Sequence, residues 1–127
     1  MDNLIFINKP LPILPAENDE GNREYKYRLT MFSQTKEERF VSQMKYRLYE
    51  GKGKALYIIG IKDDGTPIGL NRDELINTLE IFKSLANKIN VKINNIRIYG
   101  GIEGDVATLR IYTDNINIIE QIECYDL

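Results

Sequence analysis

The sequence predicts an α+β fold: a mixed, mainly antiparallel sheet of about five or six strands packed by two helices, behind an extended N-terminal arm. Three observations carry that reading. Residues 35–50 and 71–89 place apolar side chains at helical spacing behind polar caps. Residues 24–32, 54–61, 91–99 and 105–113 alternate, or run apolar, as strands do. Pro10, Pro12 and Pro15 keep the start of the chain out of any helix. The expected order is β-α-β-β-α-β-β-β over one domain, residues 24–127, with residues 1–23 as the arm.

Each element has its own signal. In EYKYRLTMF (24–32), Glu24, Lys26 and Arg28 share one face, and Tyr25, Tyr27 and Leu29 the other. Thr35 with Glu38 predicts a capping box for the first helix, whose stripe is Phe40, Val41, Met44 and Leu48. Gly51 and Gly53 end it. KALYIIGI (54–61) reads as a central strand buried on both faces. Asp64-Gly65 then predicts a hairpin into Thr66–Leu70. Asn71 with Glu74 caps the second helix, and Leu75, Leu79, Phe82, Ala86 and Ile89 form its buried stripe. The alternation of 91–99 slips at Asn94-Asn95, which predicts a bulge. Residues 116–125 read as a last strand, and Glu17–Asn22 as an acidic loop.

Bulk composition narrows the function. At 127 residues with 43 % apolar content, a core can be buried without a disulfide or metal to hold it. The chain has no histidine and a single cysteine, Cys124. That removes Ser-His-Asp and Cys-His nucleophile schemes and the usual zinc ligand sets. Cys124 itself reads as a small buried hydrophobe. The start lacks the basic region of a signal peptide, and no apolar run is long enough to span a membrane. A cytoplasmic chain, acting as a monomer without membrane contact, is expected. Net charge is −2, so any contact with nucleic acid must come from a local patch.

Three constellations carry chemistry. Gly51-Lys52-Gly53-Lys54 is the nearest approach to a phosphate loop, but it follows a helix and precedes a strand, the wrong order. It reads as a helix C-cap with solvated lysines, and no nucleotide or other cofactor is expected. Glu24, Asp63, Asp64 and the upstream Asp19 form a second group. If they converge, they suit Mg²⁺ or Mn²⁺ and phosphodiester hydrolysis; the plainer reading is turn and loop residues. No catalytic or metal-ligating residue is assigned.

The third group interleaves cations with tyrosines. Tyr25-Lys26-Tyr27-Arg28, Lys45-Tyr46-Arg47, Arg97 with Tyr99 and Arg110 with Tyr112 repeat the theme. Arg97 with Tyr99 and Arg110 with Tyr112 would share one sheet face. Lys36, Arg39, Gln43 and Arg47 fall on one polar stripe of the first helix. Cations beside flat rings suit phosphate contact and base stacking. The plainer alternative is ordinary strand tyrosines and a solvated helix face.

Three blocks of the chain also resemble a known family. They are Leu14-Pro15 … Glu20-Gly21-Asn22-Arg23-Glu24-Tyr25-Lys26-Tyr27-Arg28-Leu29; Gln43-Met44-Lys45-Tyr46-Arg47-Leu48-Tyr49-Glu50-Gly51; and Tyr57-Ile58-Ile59-Gly60-Ile61 … Asp64-Gly65 … Gly69-Leu70. In that order and spacing they are similar to the region before the G domain in the GTP-binding-protein relatives of elongation factor one-alpha. The match covers roughly residues 14–90. The nucleotide-binding domain of those proteins has no counterpart in these blocks, so GTP hydrolysis does not carry over.

A free-standing domain of this size is also similar to the microsporidian dormancy factors. That resemblance implies a non-catalytic factor that binds rRNA and ribosomal proteins, fills a tRNA site (the E site) and holds an idle ribosome. It places rRNA contacts first in Glu20, Gly21, Asn22, Tyr25 and Lys26 and in the helix block with Lys45 and Arg47. Arg28, Lys36, Arg39, Lys52, Lys54, Arg97, Tyr99, Arg110 and Tyr112 complete the expected rRNA surface. Glu24-Tyr25-Lys26 with Gly60-Ile61-Lys62-Asp63-Asp64-Gly65 resembles the Schlafen-type nuclease core, which implies a metal-dependent RNase acting on tRNA or rRNA as the alternative. A protein-interaction module tied to a translational GTPase is the third reading.

Overall fold

The computed structural model describes residues 4–30 and 33–119. Five strands and three helices follow in order: β1 Leu4–Pro10, β2 Arg23–Lys26, α1 Gln34–Glu50, β3 Lys54–Ile59, α2 Arg72–Lys88, β4 Lys92–Gly100, β5 Asp105–Tyr112 and α3 Ile116–Ile119. They form the expected α+β fold, with one mixed sheet in the order β1-β4-β5-β3-β2. The two outer pairings, β1 with β4 and β2 with β3, are parallel. The two inner ones, β3 with β5 and β4 with β5, are antiparallel.

Alternation along the strands builds two unequal faces. Ala55, Tyr57 and Ile59 of β3, Ala107, Leu109 and Ile111 of β5, and Ile96 and Ile98 of β4 point to the helices. They meet Phe40, Met44 and Leu48 of α1 and Leu75, Leu79, Phe82 and Leu85 of α2 in the main core. Phe40, Tyr57 and Phe82 pack at tilted and edge-on angles, with centroids 5.0–5.8 Å apart. The opposite face has a smaller cluster of Tyr25, Ile58, Ile61 and Val106, covered by Leu11 and Leu14.

That cover is why the arm is not simply extended. Its first part pairs as the edge strand β1, Leu4 against Ile96 and Phe6 against Ile98. Its second part is held by Leu14 N–H to Gly65 O (3.0 Å) and Glu17 N–H to Asp63 O (2.7 Å). Gly65, at φ +93°, lets the Leu14 carbonyl lie where a Cβ would clash at 1.9 Å.

Other expectations are corrected. β2 ends at Lys26, because Leu29 N–H turns away to Thr78 Oγ1 of α2 (3.1 Å). The N-cap of α1 is Ser33, whose Oγ accepts from Lys36 N–H, and not Thr35. Asp64-Gly65 makes a turn, with Asp64 Oδ1 accepting from Thr66 N–H, but Thr66–Leu70 contributes a single bridge, Leu70 to Asp105, and no strand. β3 is an interior strand between β5 and β2, buried on both faces at Tyr57, Ile58 and Ile59 as expected, and β5 occupies the middle of the sheet. Residues 116–119 are helical: Asn115 Oδ1 accepts from Asn117 N–H and starts a turn where alternation predicted a strand. The remainder of that predicted strand, with Cys124, lies outside the described residues. The cap at Asn71 and the slip at Asn94-Asn95 are as expected, the latter as a register shift between Ile93 and Ile96.

Candidate nucleic-acid interface

The expected RNA-binding residues divide into three places. The first is a latch that ties the loop before β2 to α1. Arg47 is buried, and its Nε donates to Glu24 Oε1 at 2.8 Å. Its two terminal nitrogens donate to the carbonyls of Gly21 (2.9 Å) and Asn18 (2.8 Å). Tyr46 Oη donates to the Asp19 carbonyl, and Glu50 accepts from Gly21 N–H. Asn22 Nδ2 donates to the Lys54 carbonyl. Tyr25 is 3 % exposed, with its hydroxyl on the Pro15 carbonyl. Arg47 and Tyr25 are therefore withdrawn from any RNA. Glu20, Gly21 and Asn22 are exposed, but the hydrogen bonds of Gly21 and Asn22 hold the loop. Lys45 is half-buried on the same helix.

The second place is a groove between β2 and α1. Lys26, Arg28, Lys36 and Arg39 line it with Gln43, over a floor of Leu29 and Phe40, in a volume of about 330 Å³. The polar stripe of α1 thus faces the free edge of the sheet, running from exposed Lys36 and Arg39 down to buried Arg47. Arg28 is shared with Glu74 at 2.6 Å on an exposed surface. No carboxylate among the described residues lies within ion-pair distance of Lys26, Lys36 or Arg39.

The third place is the sheet face away from the helices. Since Tyr25, Ile58 and Val106 define that face, Arg23, Lys54, Leu56, Thr108, Arg110 and Tyr112 share it by alternation. Arg23, Leu56 and Arg110 lie in one row across β2, β3 and β5. Lys54, Tyr112 and Lys92 lie in the next, across β3, β5 and β4. Arg97 is opposite Thr108. Tyr99 is opposite Val106, six residues along β5 from Tyr112, roughly 20 Å away. The two tyrosines expected in one patch are therefore at opposite ends of the sheet. Lys52, at φ +53°, borders a recess of about 160 Å³ with Lys54, Lys92, Tyr112 and Asp114. Arg23 and Lys92 were not singled out from the sequence. The signal for Arg23 was available: it stands two residues before Tyr25, hence on the same strand face.

The carboxylates do not assemble as the nuclease reading requires. β2 does lie beside β3, with Glu24 in register with Tyr57, but Glu24 gives its carboxylate to Arg47. Asp64 is bound to Thr66, which holds its carboxyl below the usual range, and Asp19 contributes its carbonyl to Tyr46. Glu17 is the carboxylate that approaches Glu24. It accepts from Tyr25 N–H, and burial followed by the nearby Glu24 and Asp63 pushes its pKa up to about 7. Among the described residues no group of three metal-liganding side chains forms. Nor is any helix among them long and apolar enough to cross a membrane.

Known proteins add one relationship. The chain is 42 % identical over 90 residues to GTP-binding protein 2 of human and of mouse, which covers 71 % of this chain. It is 34 % identical over 96 residues to an uncharacterized protein of Acanthamoeba polyphaga mimivirus, covering 75 % of this chain. The chain spans about 15 % of the length of GTP-binding protein 2 and about 47 % of the viral protein. It thus contains a segment related to part of a GTP-binding protein. No family model matches the chain, and no solved structure matches it.

Proposed function

We infer that this domain is a non-catalytic RNA-binding module of the translation apparatus, which binds ribosomes through the groove between β2 and α1. The single observation that carries this reading is the groove itself: Lys26, Arg28, Lys36 and Arg39 converge on one concave surface of an acidic chain. Clustered cations pay for themselves on a phosphate backbone, where each contact releases counterions. The related segment in GTP-binding protein 2 supports a place in translation. In its finer form the reading has the domain filling a tRNA site, the E site, as a monomer, against rRNA and ribosomal proteins, and so keeping an idle ribosome from resuming work. Inhibition would then be steric and need no cofactor.

The test is sedimentation with purified ribosomes over a salt series. Co-sedimentation should fall steeply as salt rises, and the triple reversal Lys26→Glu, Lys36→Glu, Arg39→Glu should abolish it while thermal melting stays put. Ribosome binding that ignores both salt and the reversal would refute the reading.

The relationship to a GTP-binding protein favours a second reading, a protein-interaction module tied to a translational GTPase. Capture of such a GTPase by the purified domain in nuclease-treated extract, with the groove reversal making no difference, would select it.

A further inference from the structure

We propose that the open sheet face is a second, separate surface that binds single-stranded RNA by stacking a base on Tyr112 between flanking cations. This rests on the RNA-binding reading above but not on the groove, which lies on the helix side of β2.

The face is built for a polyanion. Arg23, Lys54, Lys92, Arg97 and Arg110 all stand on it, and the strands place no carboxylate there. None of these five is in an ion pair among the described residues. Among the described residues, Asp114 is the one acid lining the recess beside Tyr112. Among the described residues this sheet face carries no acid on its strands, while the arm covers the other end of it, which leaves a positive platform.

The platform carries apolar surface at one end, where β5 finishes. Tyr112 is 42 % exposed, and half-buried Leu56 lies in the adjoining row. Lys54 and Lys92 are its direct cross-strand neighbours, roughly 5 Å away on either side. A ring so placed offers its surface to a base while two ammonium groups reach the backbone on both sides. A duplex cannot use that arrangement, because its bases are stacked on each other and only edges and phosphates face out. A single strand presents bases and phosphates together. The chemistry reads no sequence, since every base has a π face.

Fluorescence anisotropy with a short labelled oligouridylate, a blunt RNA duplex and polyglutamate tests this. The oligouridylate should bind more tightly than the duplex. Tyr112→Ala should weaken it roughly ten-fold, and Arg110→Glu with Lys54→Glu should weaken it further and lower the salt slope by about 1.4. All three positions are exposed, so melting temperatures should match the parent protein. The groove reversal should leave oligouridylate binding in place, which separates this proposal from the ribosome reading. Equal affinity for polyglutamate and oligouridylate, indifference to Tyr112→Ala, or loss through the groove reversal alone would overturn it.

Discussion

Arg47 directly follows Tyr46 and Arg110 stands two residues before Tyr112, and the fold uses these two arginines in opposite ways. Arg47 is 3 % exposed and satisfied by Glu24 and two loop carbonyls. Arg110 is exposed on a sheet face, and among the described residues it has no acidic partner. The motif around Arg47 is also one of the blocks that carries the family resemblance, and so is the Glu20–Lys26 segment it grips. Gly21, Asn22, Glu24, Tyr46, Arg47 and Glu50 of these blocks hold a loop onto a helix and the neighbouring strand. Recurrence of a pattern therefore identifies an architecture here, while the cations free to bind lie in the groove and on the open face.

The largest test of that contrast is Arg47→Ala. It leaves Glu24 charged, buried and alone and frees two carbonyls, so a loss of about 3–5 kcal/mol is expected from urea unfolding. Arg47→Lys should recover only part, because one ammonium cannot reproduce a forked guanidinium reaching three acceptors. Arg110→Ala, by comparison, should stay within about 0.5 kcal/mol of the parent. Comparable losses at the two sites would remove the distinction between latch and platform.

Next in size is the pH response of the latch. Glu17 has a folded-state pKa of about 7 against an ordinary 4.5. The folded chain therefore holds that proton more tightly than the unfolded one. The resulting stability is complete below pH 4.5 and is lost as pH rises through 7. A shift of that size corresponds to about 3 kcal/mol. Solvent reaching the half-buried carboxyl reduces the expected change to about 1–2 kcal/mol. Melting temperature should thus fall between pH 5 and pH 8 by more in the parent than in Glu17→Gln. The amide can still accept from Tyr25 N–H and brings no like charge to Glu24 and Asp63. Identical pH profiles would show that the carboxyl is not shared with its neighbours.

Much of the frame was legible because it is local. The stripes of α1 and α2, the Asn71 cap and the bulge at Asn94-Asn95 each follow from residues within a turn or two of one another. What escaped depends on distant partners. β1 exists because Leu4–Phe6 finds Ile96–Ile98 across most of the chain, and no alternation within a proline-bounded arm announces that. β2 stops early because Thr78 of α2 captures Leu29. On the site, a stripe of Lys36, Arg39, Gln43 and Arg47 is a true stripe, but its lower end is buried because Glu24 waits there. Charge alone could not say which cation would meet an acid.

The smallest expected effect lies under the latch. Tyr57 is fully buried, and its hydroxyl is the one buried side-chain polar atom among the described residues without a hydrogen-bond partner. Burial, with Glu24 nearby, raises its pKa well above the ordinary value, so it stays neutral. An unpaired hydroxyl costs desolvation and returns no bond, whereas the ring contributes fully to the packing with Phe40 and Phe82. Tyr57→Phe should therefore be neutral or stabilising by up to about 1 kcal/mol in urea unfolding. A clear loss would mean that the hydroxyl is tied into the Glu24–Arg47 network, and the latch would then reach through the sheet's core and not only along its edge.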